Sequence, residues 1–168
     1  MRMPPAVLLF AIIDRTKLDP LRPSQGGTFA GVISYLNTFP DQLSTEIGHI
    51  VVLPAWQRTF LNTNAVGLML KHALELPEDG GWGFRRVQWQ ANEQNGPSVG
   101  AAKRLGFKFE GIIRWQRILM IETKAGVRSE REDVLKEFPS QHTALLAVGW
   151  DDWVKEGRER IEAMMIRK

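Results

Sequence analysis

Short apolar segments, separated by turn-forming residues, recur along the chain and predict a β-sheet. Segments of this length with apolar and polar side chains in alternation are typical of strands. Proline and glycine cluster over residues 16–27, so the first two strands are predicted to form a hairpin. The predicted strands cover residues 7–13, 28–36, 44–53, 84–91, 107–120 and 143–148.

The third predicted strand, residues 44–53, carries polar side chains among its apolar ones. Pro54 has no N–H to donate to a ladder and therefore ends the strand. Successive side chains of a strand point to opposite faces. Strict alternation gives two sets, which are Ile47, His49 and Val51 on one face and Glu46, Gly48, Ile50 and Val52 on the other.

A helix is predicted over residues 64–76, and either Asn62 or Thr63 is a suitable cap for it. Its apolar residues recur at helical spacing and are Ala65, Leu68, Met69, Ala73 and Leu76.

A second, shorter helix is predicted between Asn95 and Leu105. Asn95 or Gly96 can cap it, Pro97 suits its first turn, and Gly106 supplies the left-handed residue that stops it. Its centre has little side-chain bulk, which fits either dense packing or close approach to a ligand. The small residues are Gly100, Ala101 and Ala102.

The 168 residues are predicted to form a single domain, 1–168. Residues 121–142 mix both charge signs and are interpreted as an insertion. A last helix is predicted from Asp151 or Asp152 to Ile166. The apolar run at residues 6–13 is too short to span a bilayer and lacks a cleavage pattern, so a buried strand is preferred.

The chain has no cysteine, which excludes disulfides, thiolate metal sites and a cysteine nucleophile. The three histidines have no metal-ligand spacing, so no metal is expected, and a structural role is expected of each. Trp89 and Trp115 fall on predicted strands and are expected to lie in the core. The net charge of +3 suits an anionic ligand or nucleic acid. Nucleic acid is the weaker candidate, because no run of Lys and Arg marks one face.

The stretch from Arg86 to Arg114 resembles a known family. Its motifs, in order, are Asn95 with Ser98, Ala101-Ala102, Arg104-Leu105-Gly106-Phe107, Glu110-Gly111 and Arg114. This order is similar to the C-terminal half of the GNAT N-acetyltransferase superfamily, and more narrowly to the branch with the ribosomal-protein N-terminal acetyltransferases. The resemblance covers roughly residues 8–120. It implies an α/β (α+β) fold with a mixed, mostly antiparallel sheet, a V-shaped splay and helices on both faces.

In the resembled fold, strands ending near Val52 and Ala91 diverge and admit the pantetheine arm of coenzyme A. Backbone groups of Ile50, Val51 and Val52 would pair with that arm, and one N–H would polarise the thioester carbonyl. Asn95 would hydrogen-bond to the arm, a role compatible with capping the helix. Ser98 and Ala102 belong to the same implied coenzyme site.

The connection into the first helix resembles the coenzyme A pyrophosphate loop, because a helix N-terminus favours an anion. The residues implied to bind the coenzyme there are Gln57, Arg58, Thr59, Asn62, Thr63, Asn64 and Ala65. The commoner loop of the superfamily is rich in glycine and this one has none, but its Gln-Arg-Thr opening resembles a ribosomal-type variant. A plain helix entry is the alternative interpretation.

The resemblance implies transfer of an acetyl group from acetyl-CoA to a primary amine, by direct attack in a ternary complex. Glu46 is the candidate base, with an exposed or ion-paired strand residue as the alternative and His49 as another base. Many relatives protonate the thiolate with a tyrosine whose position here corresponds to Ala102. Tyr35, the only tyrosine, lies in another strand, so Ser98 is the candidate acid.

The resembled family normally begins with one more strand and two helices, which form much of the acceptor pocket, and this chain is expected to lack them. The acceptor would be a protein N-terminus or a small-molecule amine. The alternative function is a non-catalytic coenzyme A-binding or interaction protein. An exposed sheet edge, and with it a homo-oligomer, would follow. We expect a cytoplasmic protein that does not associate with membranes.

Overall fold

The computed structural model describes residues 6–120 and 126–166. The strands among them are β1 (Ala6–Asp14), β2 (Thr28–Phe39), β3 (Ser44–Val52), β4 (Arg86–Asn92), β5 (Lys108–Ile118) and β6 (Ser140–Gly149). They follow the order β1-β2-β3-β4-β6-β5 in a mixed sheet. The pairs β1–β2, β2–β3 and β5–β6 are antiparallel, and β3–β4 is parallel. The predicted α/β class with a mostly antiparallel sheet is confirmed.

The described residues also contain four α-helical segments. They are α1 (Leu61–Leu74), α2 (Gly96–Arg104), α3 (Trp150–Asp152) and α4 (Arg158–Ile166). A π-helical stretch, Trp153–Gly157, joins α3 to α4, so the predicted last helix is confirmed with one wider turn. None of the helices in the described part of the chain is long and apolar enough to cross a membrane.

The chain divides into two compact units. The first contains residues 6–88 and 148–166, and the second contains residues 89–120 and 126–147. The predicted single domain stays a prediction. Of the insertion predicted over residues 121–142, residues 121–125 lie outside the described residues. Residues 126–139 form turns, bends and one bridge between Val127 and Ser140, where β6 begins.

In the first unit, α1 packs against α4 at a glycine. A Cβ added at Gly67 would lie 2.5 Å from Sδ of Met165 and 2.9 Å from Cγ2 of Ile161. An ion pair connects Arg158 of α4 to the buried Glu75, which follows α1. The absence of a side chain at Gly67 therefore permits the close approach of α4.

The predicted range and burial pattern of α1 need correction. The helix begins at Leu61 and ends at Leu74, rather than covering residues 64–76. Leu68 and Leu76, two of the apolar residues that recur at helical spacing, are exposed, whereas Leu70 is fully buried. The spacing was compatible with more than one apolar stripe, and the tertiary packing of α1 selects the observed one.

The strand β1 lies at the edge of the sheet, and several of its apolar side chains are exposed. Leu9 is 63% exposed, and Val7, Leu8 and Phe10 are also exposed, while Ile12 is buried. The predicted strand and its hairpin with β2 are confirmed, but its complete burial is wrong. An edge strand has a neighbour on one side only, which its local sequence does not reveal.

A bulge in β3 overturns the predicted faces of that strand. Between the pairs Ser34–Gly48 and Val32–Val51, β3 contains one residue more than β2. His49 takes the left-handed conformation there, with φ of 47°. The alternation therefore shifts after Gly48, and both His49 and Val51 are exposed instead of sharing the buried face of Ile47.

Pairing between β3 and β4 is short. The described residues pair at three positions, Ser44 with Arg86, Thr45 with Val87 and Glu46 with Gln88. The strand β3 then continues through residues 47–52 alongside β2. The sequence-based expectation that β3 and β4 are not paired along their full length agrees with this register.

Candidate functional site

Glu46 lies at the last of the three β3–β4 pairs and is 3% exposed. Its Oε2 accepts a hydrogen bond from Nδ2 of Asn37 at 2.8 Å and a longer one from Nε2 of Gln88 at 3.4 Å. Asn37 has φ of 44°, a conformation that asparagine tolerates better than most residues. The alternative of an exposed Glu46 is therefore wrong, while the ion-paired alternative stays a prediction. A buried carboxylate held by amide donors is the observed arrangement.

The loop between β3 and α1 presents three of the predicted coenzyme-binding side chains. Gln57, Arg58 and Thr59 are all exposed. Nε2 of Gln57 donates to the carbonyl of Val52 at 3.0 Å, which ties the loop to the end of β3. Arg58 has φ of 60°, so a charged residue occupies a left-handed position that a glycine would fill without strain.

The first turn of α1 has the features of an anion site. No acidic residue lies in it. The N–H groups of Asn62 and Thr63 have no acceptor within the described residues, whereas the N–H of Asn64 donates to the carbonyl of Phe60. Such N–H groups and the positive end of the helix dipole together favour a negatively charged ligand.

The predicted caps of α1, Asn62 and Thr63, are wrong. Both lie inside the first turn, because the helix starts at Leu61 after an N-cap Phe60 that makes no side-chain cap. The hydroxyl of Thr59 accepts the N–H of Leu61 at 3.3 Å and takes over part of the capping. Oδ1 of Asn62 is buried without a hydrogen-bond partner among the residues that the structure describes.

The predicted pantetheine-pairing residues lie at the end of β3. Val51 and Val52 pair with Val32 and Gly31 of β2, and Ile50 lies within the bulge. A Cβ added at Gly31 would lie 2.1 Å from the carbonyl oxygen of Val51, so this approach requires glycine. The carbonyl of Val52 is already engaged by Gln57.

The second unit contains the remaining predicted residues. Asn95 caps α2, because its Oδ1 accepts the N–H of Ser98 at 3.1 Å. Oγ of Ser98 accepts a hydrogen bond from Nε1 of Trp89 at 3.0 Å, which leaves the hydroxyl proton to be donated. Ala102 is fully buried, so its methyl group belongs to the packed face of α2. Gly106, with φ of 96°, ends the helix as predicted.

The three histidines lie in different surroundings. The ring of His72 lies 4.7 Å from that of Trp82, and Nδ1 of His142 accepts the N–H of Trp115 at 3.0 Å. Both contacts suit the structural role expected of these two residues. His49 lies apart from them, exposed at the bulge of β3. No group of three or more potential metal ligands occurs among the described residues.

The two tryptophans predicted to lie in the core differ. Trp89 is buried against Phe107, as predicted, but Trp115 is 50% exposed and has φ of 55°. It lies where the register of β5 and β6 shifts between Ile113 and Arg117. The strand β5 is an edge strand and most of its residues are exposed, so the exposure of Trp115 belongs to the whole strand.

Asp14 is a residue of this region that the sequence-based reasoning missed. It is 2% exposed, and its Oδ2 accepts a hydrogen bond from Nε1 of Trp56, in the loop before α1, at 2.8 Å. The spacing Asp14-Arg15-Thr16 was the available signal, because an aspartate that ends a strand often accepts the N–H two residues further on.

The first unit thus combines an exposed basic loop, a helix start whose N–H groups find no acceptor in the described part of the chain, and a buried carboxylate on the preceding strand. On a mixed α/β sheet, these features are typical of a protein that binds an anion beside a polar side chain. The family model described as "Acetyltransferase (GNAT) domain" matches residues 5–108. The chain belongs to this GNAT acetyltransferase family, as the sequence motifs predicted.

Solved structures agree with this assignment. A GCN5-related N-acetyltransferase from Brucella melitensis is 26% identical with a TM-score of 0.71, and the alignment covers 95% of this chain and 58% of that chain. This chain therefore spans less than two thirds of that relative's length. No curated protein matches the chain.

Two further structures are similar in fold alone. Mycobacterium smegmatis RimJ in complex with CoA-disulfide is 18% identical with a TM-score of 0.58, covering 85% of this chain and 63% of that chain. A variant of the spermidine N-acetyltransferase SpeG from Vibrio cholerae is 12% identical with a TM-score of 0.61, covering 90% of this chain and 70% of that chain.

Proposed function

We propose that the protein transfers an acetyl group from acetyl-CoA to a primary amine, by direct attack in a ternary complex. The observation that carries the proposal is the start of α1. There the N–H groups of Asn62 and Thr63 lack acceptors within the described residues, and no acidic side chain is present. The diphosphate of a coenzyme supplies the acceptors that these groups lack.

Residues of the loop would complete the phosphate site. Arg58 is exposed and adds a guanidinium, which forms short, charge-assisted hydrogen bonds with phosphate oxygens. Gln57 and Thr59 add polar groups on either side of it, while Asn64 and Ala65 continue the first turns of the helix. An exposed loop with one cation suits a ligand that must also leave after each turnover.

The end of β3 would hold the acyl-bearing arm. Residues 47–52 extend beyond the last pair with β4, and backbone groups of Ile50, Val51 and Val52 are the proposed partners of the arm. A backbone N–H that donates to the thioester carbonyl stabilises the negative charge that develops on its oxygen. The absence of a side chain at Gly31 supports this local arrangement of β2 and β3.

Glu46 is the proposed base. The amine nitrogen forms a bond to the acyl carbon, the carbon–sulfur bond breaks with its electron pair on sulfur, and the nitrogen loses a proton to Glu46 or to a water bound by it. The amide donors of Asn37 and Gln88 fix the orientation of the carboxylate. A base held in one orientation is ready to accept the proton when the amine attacks.

Ser98 is proposed to donate its hydroxyl proton to the leaving thiolate while its Oγ takes a proton from a solvent water, so that the serine ends the step neutral. The indole N–H of Trp89 occupies an acceptor position on Oγ, and this polarises the hydroxyl toward donation. Asn95 is proposed to contact the arm with the amide group that caps α2. Ala102, where many relatives have tyrosine, would contribute only its small size.

The acceptor is proposed to be a primary amine of a protein N-terminus or of a small molecule. The Gln57-Arg58-Thr59 opening supports the ribosomal-protein branch, and the RimJ structure has a similar fold. A spermidine N-acetyltransferase also has a similar fold, so a small amine is the second acceptor class. A cytoplasmic location stays a prediction.

Release of free thiol from acetyl-CoA, measured with a panel of peptides and polyamines, tests the proposal. Amine-dependent release above the hydrolysis background is expected with at least one acceptor class. Binding of acetyl-CoA without thiol release for any amine would instead support the non-catalytic coenzyme A-binding alternative.

A further inference from the structure

Trp56 is the centre of the hydrogen bonds that shape the loop before α1. Its N–H donates to the carbonyl of Leu53 at 2.9 Å, and its own carbonyl accepts the hydroxyl of Thr59 at 2.7 Å. The hydroxyl of Thr59 also accepts the N–H of Leu61. Trp56 is therefore connected, through Thr59, to the first residue of the helix.

The indole of Trp56 is fixed in turn by the end of β1. Its Nε1 donates to Oδ2 of Asp14 at 2.8 Å, and Nζ of Lys17 lies 5.7 Å from the centre of its ring. Oδ1 of Asp14 accepts both the N–H of Thr16 at 2.9 Å and its hydroxyl at 2.6 Å. The two oxygens of this buried carboxylate thus join the turn after β1 to the loop before α1.

We propose that Asp14 is a positioning residue for phosphate binding, because it holds Trp56 and thereby the exposed loop at Gln57, Arg58 and Thr59 in its binding conformation. This inference rests on the proposed function. A loop that carries a non-glycine residue in the left-handed conformation needs such support, since other conformations cost that residue less. Ordering the loop in advance removes an entropic cost from ligand binding.

The hydrogen bond between Asp14 and Trp56, hereafter the link, also predicts which part of the ligand is affected by its loss. Asp14 and Trp56 act on the loop and on the start of α1, which are the proposed phosphate contacts. Glu46, the proposed base, is instead oriented by Asn37 of β2 and Gln88 of β4. Loss of the link should therefore weaken the binding of coenzyme A and raise KM for acetyl-CoA, while kcat stays close to that of the wild type.

The test compares three variants by isothermal titration with coenzyme A. Trp56→Phe removes the indole N–H and keeps an aromatic ring, and Asp14→Asn removes the charge. Tyr35→Phe is the matched control, because it deletes a buried hydrogen bond to the carbonyl of Met69 at 2.6 Å, away from the loop. The first two variants are expected to weaken binding by about tenfold, the equivalent of one hydrogen bond to a charged group. The control should bind within about twofold of wild type.

A second measurement shows whether the link acts through the phosphates. S-acetylpantetheine has the thioester but no phosphates, so its kcat/KM should be the same in Trp56→Phe and in the wild type. A fall in this kcat/KM as large as the fall with acetyl-CoA would overturn the inference.

The titrations can overturn it as well. Unchanged binding of coenzyme A by Trp56→Phe and Asp14→Asn would do so, and so would equal weakening in Tyr35→Phe. Failure of the wild type itself to bind coenzyme A would instead overturn the proposed function.

Discussion

A buried carboxylate on a strand is costly unless polar groups surround it, and Glu46 has amide donors from Asn37 and Gln88. Glu46→Gln keeps the shape of the side chain but removes its ability to accept a proton. We expect kcat to fall by about a hundredfold or more, with the dissociation constant for coenzyme A nearly unchanged. Steady-state kinetics and titration calorimetry together check this expectation.

The control for that variant is Glu78→Gln, at an exposed position. It makes the same chemical change and should leave kcat unaltered. An unaltered rate in Glu46→Gln would remove Glu46 as the base and leave His49, which is exposed at the bulge of β3, as the alternative.

Asp14 gives the stability of the protein a pH dependence of known sign. The pKa of Asp14 lies below its ordinary value of 3.8, first because its carboxylate accepts a hydrogen bond from the hydroxyl of Thr16. Hydrogen bonds from the indole of Trp56 and from the N–H of Thr16 lower the pKa further, whereas burial raises it. Asp14 therefore contributes its full stabilisation above the pKa that it has in the unfolded chain. This contribution is lost as the pH falls through the lower pKa that it has in the folded protein.

Asp14→Asn should consequently cost about 2 kcal/mol of unfolding free energy at neutral pH and progressively less in acid. Urea unfolding of both proteins over a pH series measures the difference. A difference that stays constant down to the most acidic point would contradict this role of Asp14.

Single residues also show what the sequence could reveal. Asn95 was predicted as a cap because asparagine before glycine and proline is a local signal, and the structure confirms it. Trp115 was predicted wrongly, because β5 lies at an edge of the sheet and is exposed along most of its length, which depends on how the strands assemble. Local chemistry was predictable, whereas conformations imposed by a neighbouring strand were not.

Among the elements, the loop before α1 can be tested without straining its backbone. Arg58→Gly removes the guanidinium and relieves the left-handed conformation at φ of 60°. Coenzyme A should bind about tenfold more weakly, and the melting temperature of the free protein should stay the same or rise. Calorimetry at low and high salt should show that the affinity lost in Arg58→Gly is the part of the wild-type affinity that decreases with salt.

Unchanged affinity in Arg58→Gly would exclude the guanidinium as a phosphate contact. The control for this variant must remove a basic side chain without breaking an ion pair, which excludes Lys136 because it pairs with Glu132. Arg22, which is exposed and precedes a separate turn, offers the matched control as Arg22→Gly. That variant should bind coenzyme A like the wild type.

Two helical glycines should respond in opposite directions to the same substitution. Gly67→Ala places a methyl group against Met165 and Ile161, so it should lower stability although alanine favours helices. Gly100→Ala meets no atom within 4 Å and should raise stability by about 0.5–1 kcal/mol. Urea midpoints of the two variants measure the contrast, and stabilisation by Gly67→Ala would contradict the packing of α1 on α4.

The elements themselves were predictable to different degrees. The six strands and the short helix α2 follow from patterns of alternation and capping that are local. The predicted start of α1 is three residues too late, because the capping side chain was expected at Asn62 or Thr63. In the structure the hydroxyl of Thr59 accepts the N–H of Leu61 instead. The candidate phosphate loop was predicted as a segment, but its internal hydrogen bonds were not.

The order of strands in the sheet leaves β1 at an edge, and we expect this edge to promote self-association. Residues 7–13 carry no charge, so two copies can pair these strands antiparallel without bringing like charges together. Sedimentation velocity should show a concentration-dependent dimer. Leu9→Lys, at a side chain that is 63% exposed, should abolish it.

The matched control is Leu21→Lys, at a position 91% exposed in the loop after β1. It adds the same charge away from the edge and should leave association unchanged. A monomer at all concentrations would contradict the proposed edge-to-edge contact. The exposure of β1 was not predictable from its apolar sequence, because the order of strands is a property of the whole sheet.

The decisive measurement for the whole protein is thermal unfolding with increasing concentrations of acetyl-CoA. A ligand that binds only the folded state stabilises it by about 2.7 kcal/mol at one hundred times its dissociation constant. If the start of α1 and its loop bind the coenzyme, the melting temperature rises to saturation and Arg58→Gly diminishes the rise. An unchanged melting temperature at millimolar acetyl-CoA would contradict the proposed coenzyme site.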